Sequence, residues 1–352
     1  MERKSLLYKI CIIGHFGFGE ELLNGQTIKT KIITNELEKQ IGKNNIKKID
    51  TRGGIKILLK APFQIFYALK NNKNIIILPA HNGLRVYAPI LAIGQYFFRN
   101  RKIHYVVIGG WLPEFLKNHR ITKKSLYSFD GIYVETNTMK KAMQKQGFSN
   151  VYVMPNCKEL QILKEDELIC SFEKPYRLCT FSRVIKEKGI EDIVQVIEEI
   201  NSKNEKNIYS LDIYGPIDSH YEDQFCRMKK KFPPYIKYCG TVSFDKTTEV
   251  LKEYFALVFP TRFYTEGIPG TIIDAFASGL PVITSKWESY EDLVDEGING
   301  IGYTFKNNEE LKNLLCEIAK NPEFIIQMKK NCIRKAADFT TEKVISDFIR
   351  NL

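Results

Sequence analysis

The sequence predicts an α/β protein with two domains, each organised around a parallel β-sheet. The chain has 352 residues, of which 44% are hydrophobic, and this is enough for two cores of ordinary size. Short β-branched runs alternate with longer segments of helical period, which is typical of βαβ units. The alternation starts again after a polar, acidic stretch at residues 156–175, where we expect the domain boundary.

In the first domain, expected at residues 1–160, apolar runs predict strands and the segments between them predict helices. The clearest helix is Gln26–Gln40, where isoleucine and leucine recur at helical spacing. The predicted strands are Tyr8–Ile13, Asn74–Leu78, Ile103–Ile108, Gly131–Glu135 and a last strand that ends within Val151–Pro155.

The second domain, expected at residues 161–338, repeats this plan with a second parallel sheet. Two such domains facing each other leave a cleft for ligands at the carboxyl ends of both sheets. The predicted strands are Tyr176–Phe181, Tyr209–Tyr214, Ile236–Cys239, Ala256–Phe259 and Pro281–Thr284.

The charge is divided unequally between the two halves. Residues 1–158 hold 26 Lys and Arg against 9 Asp and Glu, or +17, whereas the remainder carries −6 and the whole chain +11. This asymmetry favours an anionic partner for the first half, such as a membrane surface or nucleic acid, although a solvated basic surface is also possible. No apolar run is long enough to span a bilayer. We therefore predict a cytoplasmic protein, peripheral at the inner face of the cell membrane.

The eight cysteines contain no CxxC pair and no Cys/His cluster with the spacing of zinc ligands. This pattern predicts reduced thiols in the core of a cytoplasmic protein. We expect no metal site.

The strongest candidate for a site lies after the strand that ends at Pro260. Here two acids, Glu266 and Asp274, flank a helix start at Pro269 and Gly270. The free N–H groups and positive dipole end of such a helix bind phosphate, and carboxylates accept hydrogen bonds from sugar hydroxyls. Acids are also common in exposed loops, so this pattern alone leaves an ordinary structural role open.

A second candidate is the strand-to-helix loop that contains Arg183 and Lys188. A guanidinium binds phosphate oxygens bidentately and an ammonium acts as a compact charge, so this pair could neutralise a departing diphosphate. Basic loops are frequent, and by itself this signal is weak.

Together the two patterns resemble the paired signatures of family 4 retaining glycosyltransferases, which have the GT-B fold. The matching residues are Ser182-Arg183…Lys188-Gly189 and Glu266-Gly-x-Pro…Ala-x-x-Gly-x-Pro-Val-Ile283, in the order and separation of the family. The resemblance covers most of the second half. It implies two Rossmann-like domains that face a central cleft, with residues 339–352 returning to the first domain as a C-terminal helix.

The resemblance also implies roles for single residues. Glu266 and the amides of residues 267–270 would hold the donor sugar and β-phosphate, and Arg183 and Lys188 the diphosphate. Asp274 replaces the usual glutamate and would contact the ribose with a shorter reach, while residues 239–242 resemble the base-binding turn. The predicted donor-binding residues are Gly14, Gly17, Gly240, Thr241, Val242, Gly267, Ile268, Pro269, Gly270 and Asp274.

The first half matches less well, as expected for an acceptor-binding domain. Its glycine-rich loop, residues 14–19, permits close approach of the backbone to phosphate, and in the family this loop closes over the donor phosphates. The GxxGxG order is not the dinucleotide fingerprint, which disfavours a dehydrogenase. In the family, the position of His81 often holds a histidine near the reacting sugar, where an imidazole could stabilise developing charge.

Gly110 and Trp111 follow the next strand and are predicted on the acceptor side. The indole of Trp111 could stack on a sugar or a lipid-linked acceptor, and a core position is an equally good interpretation. The predicted catalytic residues are Arg183, Lys188, Glu266 and His81.

Taken with these residues, the resemblance implies a retaining, metal-independent hexosyltransferase. It would transfer a sugar from a nucleotide diphosphate donor, for which a UDP-sugar is the first expectation. The acceptor would be a saccharide or a polyprenyl-linked oligosaccharide, in the synthesis of a capsule or similar polysaccharide. Three alternatives stay open: a sugar-nucleotide epimerase of the same fold, a basic nucleic-acid-binding protein, and a non-catalytic sugar-nucleotide sensor.

Overall fold

The computed structural model describes residues 10–19, 25–53 and 55–352. Contacts divide the chain into two compact units: Met1–Glu159 with Thr340–Leu352, and Leu160–Phe339. Within the described residues each unit contains one six-stranded parallel sheet. The predicted α/β class with two parallel sheets is therefore confirmed. The boundaries expected after residues 160 and 338 differ from this division by one residue each.

In the described part of the first unit, the strands follow the order β2-β1-β3-β4-β5-β6. The strands are β1 (Ile10–Gly14), β2 (Ile46–Asp50), β3 (Asn74–Ile77), β4 (Lys102–Val106), β5 (Gly131–Val134) and β6 (Val151–Val153). The helices are α1 (Gly25–Ile41), α2 (Ile55–Asn71), α3 (His81–Phe97), α4 (Leu112–Lys117), α5 (Arg120–Leu126) and α6 (Asn137–Lys145).

The first unit departs from the sequence-based expectation at one strand. The prediction omitted β2, whose Ile46-Lys-Lys-Ile-Asp50 sequence is polar at three of five positions and half-buried at the edge of the sheet. Such an edge strand lacks the continuous apolar run by which buried parallel strands are recognised. The predicted start of the first strand at Tyr8 lies outside the described residues.

The described strands of the second unit follow the order β12-β11-β10-β7-β8-β9. The strands are β7 (Tyr176–Phe181), β8 (Tyr209–Tyr214), β9 (Ile236–Gly240), β10 (Ala256–Phe259), β11 (Val282–Ser285) and β12 (Gly300–Tyr303). The helices are α7 (Ile190–Ser202), α8 (Glu222–Lys229), α9 (Thr247–Leu251), α10 (Gly270–Ala277), α11 (Asn308–Lys320), α12 (Glu323–Ile326) and α13 (Lys329–Ala336).

The prediction also omitted β12. Its sequence, Gly-Ile-Gly-Tyr, contains two glycines, which are depleted in strands. Glycine is required at this position because a Cβ on Gly300 would lie 2.7 Å from the carbonyl oxygen of Val282 on β11. Close packing between the two strands therefore requires glycine, and because glycine has a low strand propensity, the sequence pattern does not predict this strand.

Helices cover both faces of each sheet, so the central strands are buried throughout. In β3, for example, Ile75 and Ile77 enter one core cluster while Ile76 enters another, as the two-residue period of a strand requires. The last helix, α14 (Thr341–Ile349), belongs to the first unit. Its Phe348 packs edge-on against Tyr133 of β5, with ring centroids 4.6 Å apart.

The cysteines in the described residues are free thiols. The expectation that all of them are core thiols is wrong for Cys170 and Cys239, which are exposed. Cys170 lies outside the helices and strands, and Cys239 lies on β9 at the edge of the sheet. None of the described helices combines the length and the apolar character that crossing a bilayer requires.

Candidate functional site

The two strongest sequence motifs meet at the centre of the second sheet. Strands β7 and β10 are parallel neighbours, with Leu178 opposite Ala256 and Cys179 opposite Leu257. The strand order reverses between them, since β8 and β9 follow on one side and β11 and β12 on the other. In open α/β sheets, the crevice at the carboxyl ends of such a pair of strands is where ligands bind.

Lys188 and Glu266, one from each loop, form an ion pair at this point. The Lys188 Nζ lies 2.6 Å from Oε1 and 2.7 Å from Oε2 of Glu266, and the two side chains are 16% and 17% exposed. The buried hydroxyl of Thr261 donates to Oε2 at 3.1 Å. An ammonium has three N–H donors, so at least one remains for an anion from outside. The pair is thus shielded yet open to solvent on one side.

Gly189 explains how the two loops come so close. It adopts a left-handed conformation (φ 65°) after a short 3-10 helix at Lys186–Lys188 and precedes α7. A Cβ at this position would lie 2.0 Å from the carbonyl oxygen of Pro260. Only glycine tolerates both the backbone angle and the contact, so the Lys-Gly pair in the motif fixes the position of the lysine.

Arg183 lies in the same loop but is held loosely. Its side chain is 51% exposed, and the nearest carboxylate oxygen, on Asp218, lies 3.9 Å from Nη1. A surface pair at this distance contributes little to stability. The side chain is therefore available to an anionic ligand at small cost.

Helix α10 begins beside the ion pair. Pro269 precedes its first residue, Gly270, and the Thr271 hydroxyl donates to the carbonyl of Phe181 at the end of β7. This bond fixes the helix start against the strand that leads to Arg183. The first amides of a helix have no intrahelical acceptor, so this end of α10 presents N–H donors and a positive dipole end.

The remaining donor-side residues occupy two environments. Gly267, Ile268 and Pro269 are buried, and Asp274 in α10 is only 7% exposed. The turn after β9 is open, since no atom lies within 4 Å of the position that a Cβ on Gly240 (φ 77°) would take. Thr241 is exposed and Val242 half-buried. The ribose and base contacts of these residues remain predictions.

The first unit has a cavity of about 350 Å³ at its own reversal of strand order, between β1 and β3. Its lining combines apolar surface with polar and basic side chains, and it includes the first turn of α3. The lining residues include His15, Gln26, Thr51, Arg52, His81 and Tyr87. Of these, only His81 was predicted as a site residue.

His81 begins α3 and stacks on Trp111, with ring centroids 3.8 Å apart. The Trp111 indole N–H donates to the carbonyl of Ile108, so one face and the polar edge of the indole are already engaged. The aromatic environment lowers the pKa of His81 by desolvation, and the nearby charge of His119 lowers it further. A neutral imidazole is therefore favoured at pH 7.

Asp50 is a site-forming residue that the sequence analysis missed. At the end of the unpredicted strand β2, its carboxylate accepts hydrogen bonds from the backbone N–H groups of Phe16 (3.0 Å) and Phe18 (3.1 Å). These bonds hold the loop that contains Gly17 (φ 59°). If β2 had been recognised in the sequence, the acid at its end would have indicated this role. The loops that follow neighbouring parallel strands lie next to each other, so an acid after β2 can contact the loop after β1.

A buried ion pair organises the loop before Trp111. Lys29 on α1 lies 2.6 Å from Glu135 after β5, and both side chains are 4% exposed. Glu135 also accepts a hydrogen bond from the backbone N–H of Gly109 at 3.0 Å. Gly110 itself is buried. The loop predicted on the acceptor side is thus fixed from beneath by a charged pair.

Comparison with known proteins finds sequence similarity to glycosyltransferases in the second unit. Residues 175–321 match the sequence model of the family described as glycosyl transferases group 1. Among curated proteins, the chain is 33% identical over 151 residues to alpha-monoglucosyldiacylglycerol synthase of Acholeplasma laidlawii, covering 43% of this chain and 36% of that protein. It is 28% identical over 177 residues to the GtfA subunit of a UDP-N-acetylglucosamine–peptide N-acetylglucosaminyltransferase of Streptococcus pneumoniae, covering 49% and 33%. The matches thus span about a third of these relatives.

Solved structures confirm the GT-B fold. The chain superposes on Anabaena HepE in complex with UDP with a TM-score of 0.73 at 13% identity, covering 97% of this chain and 98% of that one. Sucrose-phosphate synthase of Thermosynechococcus elongatus gives 0.73 at 14% identity, covering 97% of both chains. The sequence matches thus make residues 175–321 similar to group 1 glycosyltransferases, and the solved structures show the fold. They do not favour the epimerase or nucleic-acid-binding alternatives.

Proposed function

We propose that this chain is a retaining glycosyltransferase of the family 4 type. It moves a hexose from a nucleotide diphosphate sugar, most simply a UDP-sugar, to a saccharide or lipid-linked acceptor in the synthesis of a cell-surface polysaccharide such as a capsule. The observation that carries the proposal is the contact between Lys188 and Glu266, 2.6 Å apart, at the reversal of strand order in the second sheet.

The chemistry of glycosyl transfer explains why such a pair is useful. Breaking the anomeric C–O bond creates an oxocarbenium-like sugar and a diphosphate leaving group, so the largest electrostatic demand falls on the phosphates. In the proposed reaction, Lys188, Arg183 and the first amides of α10 stabilise the departing diphosphate without a metal. Glu266, oriented by Thr261, accepts hydrogen bonds from sugar hydroxyls. The acceptor hydroxyl then attacks the anomeric carbon on the face that the leaving group vacates, and its proton passes to the departing phosphate oxygen.

The nature of the donor is inferred from relatives and structural neighbours. HepE was solved with UDP, and also with UDP and glucose, while the pneumococcal relative is named for UDP-N-acetylglucosamine. These names support a UDP-sugar as the first donor to test.

We assign the acceptor to the first unit and place the enzyme at the cytoplasmic face of a membrane. The charge of +17 over residues 1–158 supports an anionic surface as partner, and the Acholeplasma relative is named for a glycolipid product. In this proposal His81, neutral at pH 7, acts at the donor sugar, while Gly110 and Trp111 lie on the acceptor side.

A thermal-shift screen of UDP-, GDP- and dTDP-sugars tests the proposal first, since a bound donor stabilises the fold by mass action. We expect a UDP-sugar to raise Tm in the wild type and to lose this effect in Lys188→Met. Release of UDP in the presence of lipid extracts then reports transfer. Free epimerised sugar nucleotide without any acceptor would point to an epimerase. Donor binding with no turnover on any acceptor would point to a sensor.

A further inference from the structure

The outer surface of helices α2 and α3 carries an unusual density of exposed apolar side chains. On α2 they recur at helical spacing, and on α3 they cluster in the last turn. Their exposed fractions range from 47% to 79%. We call these residues the aromatic face. The aromatic face consists of Leu59, Phe63, Phe66, Tyr67, Ile93, Tyr96 and Phe97.

The two helices form one continuous surface because they pack unusually closely. A Cβ on Gly94 of α3 would lie 2.4 Å from Cδ1 of Leu69 on α2, so a larger residue at this position would require the Leu69 side chain to shift. The ring of Phe66 on α2 then meets the ring of Phe98, just after α3, with centroids 5.9 Å apart. The inner sides of both helices, including Ile65 and Leu91, are buried in the core, so the outer apolar residues lie outside the core cluster and keep about half or more of their surface exposed.

The sequence segment that carries the aromatic face is strongly basic. Between Asp50 and Glu114 the sequence contains nine lysines and arginines and no aspartate or glutamate. Lys60 and Lys70 are exposed on α2, and Arg99 and Arg101 line a cavity of about 380 Å³ together with Tyr96 and Phe97. A cationic hollow edged by aromatic rings suits a phosphate headgroup.

We propose that the aromatic face docks on an anionic lipid bilayer, with its rings at the boundary between headgroups and acyl chains and its lysines and arginines on lipid phosphates. Exposed aromatic and aliphatic residues bordered by Lys and Arg are the composition of interfacial membrane helices. This inference deepens the proposed function and rests on it, because it names the surface by which the acceptor unit reaches a lipid-linked substrate.

Two other occupants fit the observations less well. A second copy of the same face would bring Lys60, Lys70 and Arg99 near their own counterparts, where like charges repel. Nucleic acid would satisfy the cations and could stack on the rings, but Leu59 and Ile93, 73% and 64% exposed, gain nothing from base stacking. Acyl chains favour all of these residues alike.

The test is flotation of the full-length protein with vesicles of phosphatidylcholine alone or mixed equally with phosphatidylglycerol. We expect binding to the anionic vesicles at low salt. The double variant Phe63→Ser with Phe97→Ser is expected to lose about tenfold or more in vesicle affinity. Lys60→Gln with Lys70→Gln is expected to weaken binding and reduce its salt dependence. The matched control, Phe244→Ser with Phe324→Ser, changes two exposed rings of the other unit and is expected to bind as wild type.

Several results would overturn this inference. The first is a wild-type protein that does not bind anionic vesicles, and the second is a Phe63/Phe97 variant that binds them as well as the wild type does. The third is a wild-type dimer, seen without vesicles, that becomes a monomer in this variant. The fourth is salt-dependent binding of DNA that depends on the same residues. A thermal shift with UDP on every variant checks folding. It also separates the two proposals: no shift in the wild type with vesicle binding as expected would remove the transferase and leave the docking surface.

Discussion

Replacing Arg183 with alanine separates a catalytic role from a structural one. The side chain is 51% exposed, and the nearest carboxylate, on Asp218, lies 3.9 Å from the guanidinium. Surface pairs of this kind contribute about 0–1 kcal/mol to stability, so Arg183→Ala is expected to lower the free energy of unfolding by less than about 1 kcal/mol. A change of that size shifts Tm by only about 2–4 °C in a domain of this length.

The expected effect on the reaction is much larger. A hydrogen bond to a charged group contributes about 1.5–3 kcal/mol, and a guanidinium that binds a diphosphate in two places makes two such bonds. If both form in the transition state, their loss raises the barrier by about 3–6 kcal/mol. This corresponds to a rate lower by about 10² to 10⁴.

The assay is release of UDP from the donor identified by thermal shift, measured beside chemical unfolding of the same preparations. Arg334→Ala is the matched control, because Arg334 is also exposed, lies in the same unit and pairs with Glu165 at 3.3 Å. Its rate is expected to equal that of the wild type. An Arg183→Ala enzyme with nearly normal turnover, or one that loses activity only because it unfolds, would refute the assignment of Arg183 to the diphosphate.

Four further predictions address the loops, the metal and the core. Gly189→Ala is expected to lower the free energy of unfolding by about 2–4 kcal/mol in denaturant titrations, because its Cβ would lie 2.0 Å from the Pro260 oxygen at φ 65°; unchanged stability would contradict this packing. Thr261→Val removes the hydrogen bond to Glu266 and is expected to reduce kcat about tenfold with little change in KM. The control variant Thr261→Ser keeps the hydroxyl and is expected to retain activity. An equal loss of activity in both variants would argue that the hydroxyl does not position Glu266. EDTA is expected to leave turnover unchanged, since cationic side chains and amides take the place of a metal, and inhibition that Mg²⁺ or Mn²⁺ reverses would contradict this. Burial lowers the pKa of His104 to about 4, whereas an unfolded histidine has a pKa of about 6.5, so the unfolded state binds more protons between these two values. The free energy of unfolding is therefore expected to be fully retained above about pH 6.5 and to fall by about 3 kcal/mol as the pH drops to about 4. Unfolding measured at a series of pH values tests this dependence, which His104→Gln should lack.

The sequence was sufficient to predict an element wherever its local residue pattern matches its buried surroundings in the fold. Central strands such as β3 and β10 are continuous apolar runs because both of their faces are covered by helices, and their positions were predicted closely. The motif around Lys188 and Glu266 was also recognisable, because glycine and proline are required there by backbone geometry. Such requirements leave a trace in sequence that does not depend on knowing the partner.

Strands β2 and β12 were missed for the opposite reason. The first is a half-exposed edge strand with two lysines, and the second has two glycines selected by its neighbour. In both strands the residue types are determined by the tertiary surroundings rather than by strand propensity. Asp50, which holds the glycine-rich loop, was lost together with β2.

By itself, the sequence determined the two α/β units, the order of their elements and the glycine-dependent turns, because these follow from local periodicity and backbone sterics. Only the tertiary structure decided which side chains meet. Lys188 and Glu266 are 78 residues apart and in contact, while Phe63 and Phe97 share an outer surface that no local pattern distinguishes from a buried one. Helical spacing shows that apolar residues lie on one side of a helix, but whether that side faces the core or the solvent depends on what the rest of the chain places against it.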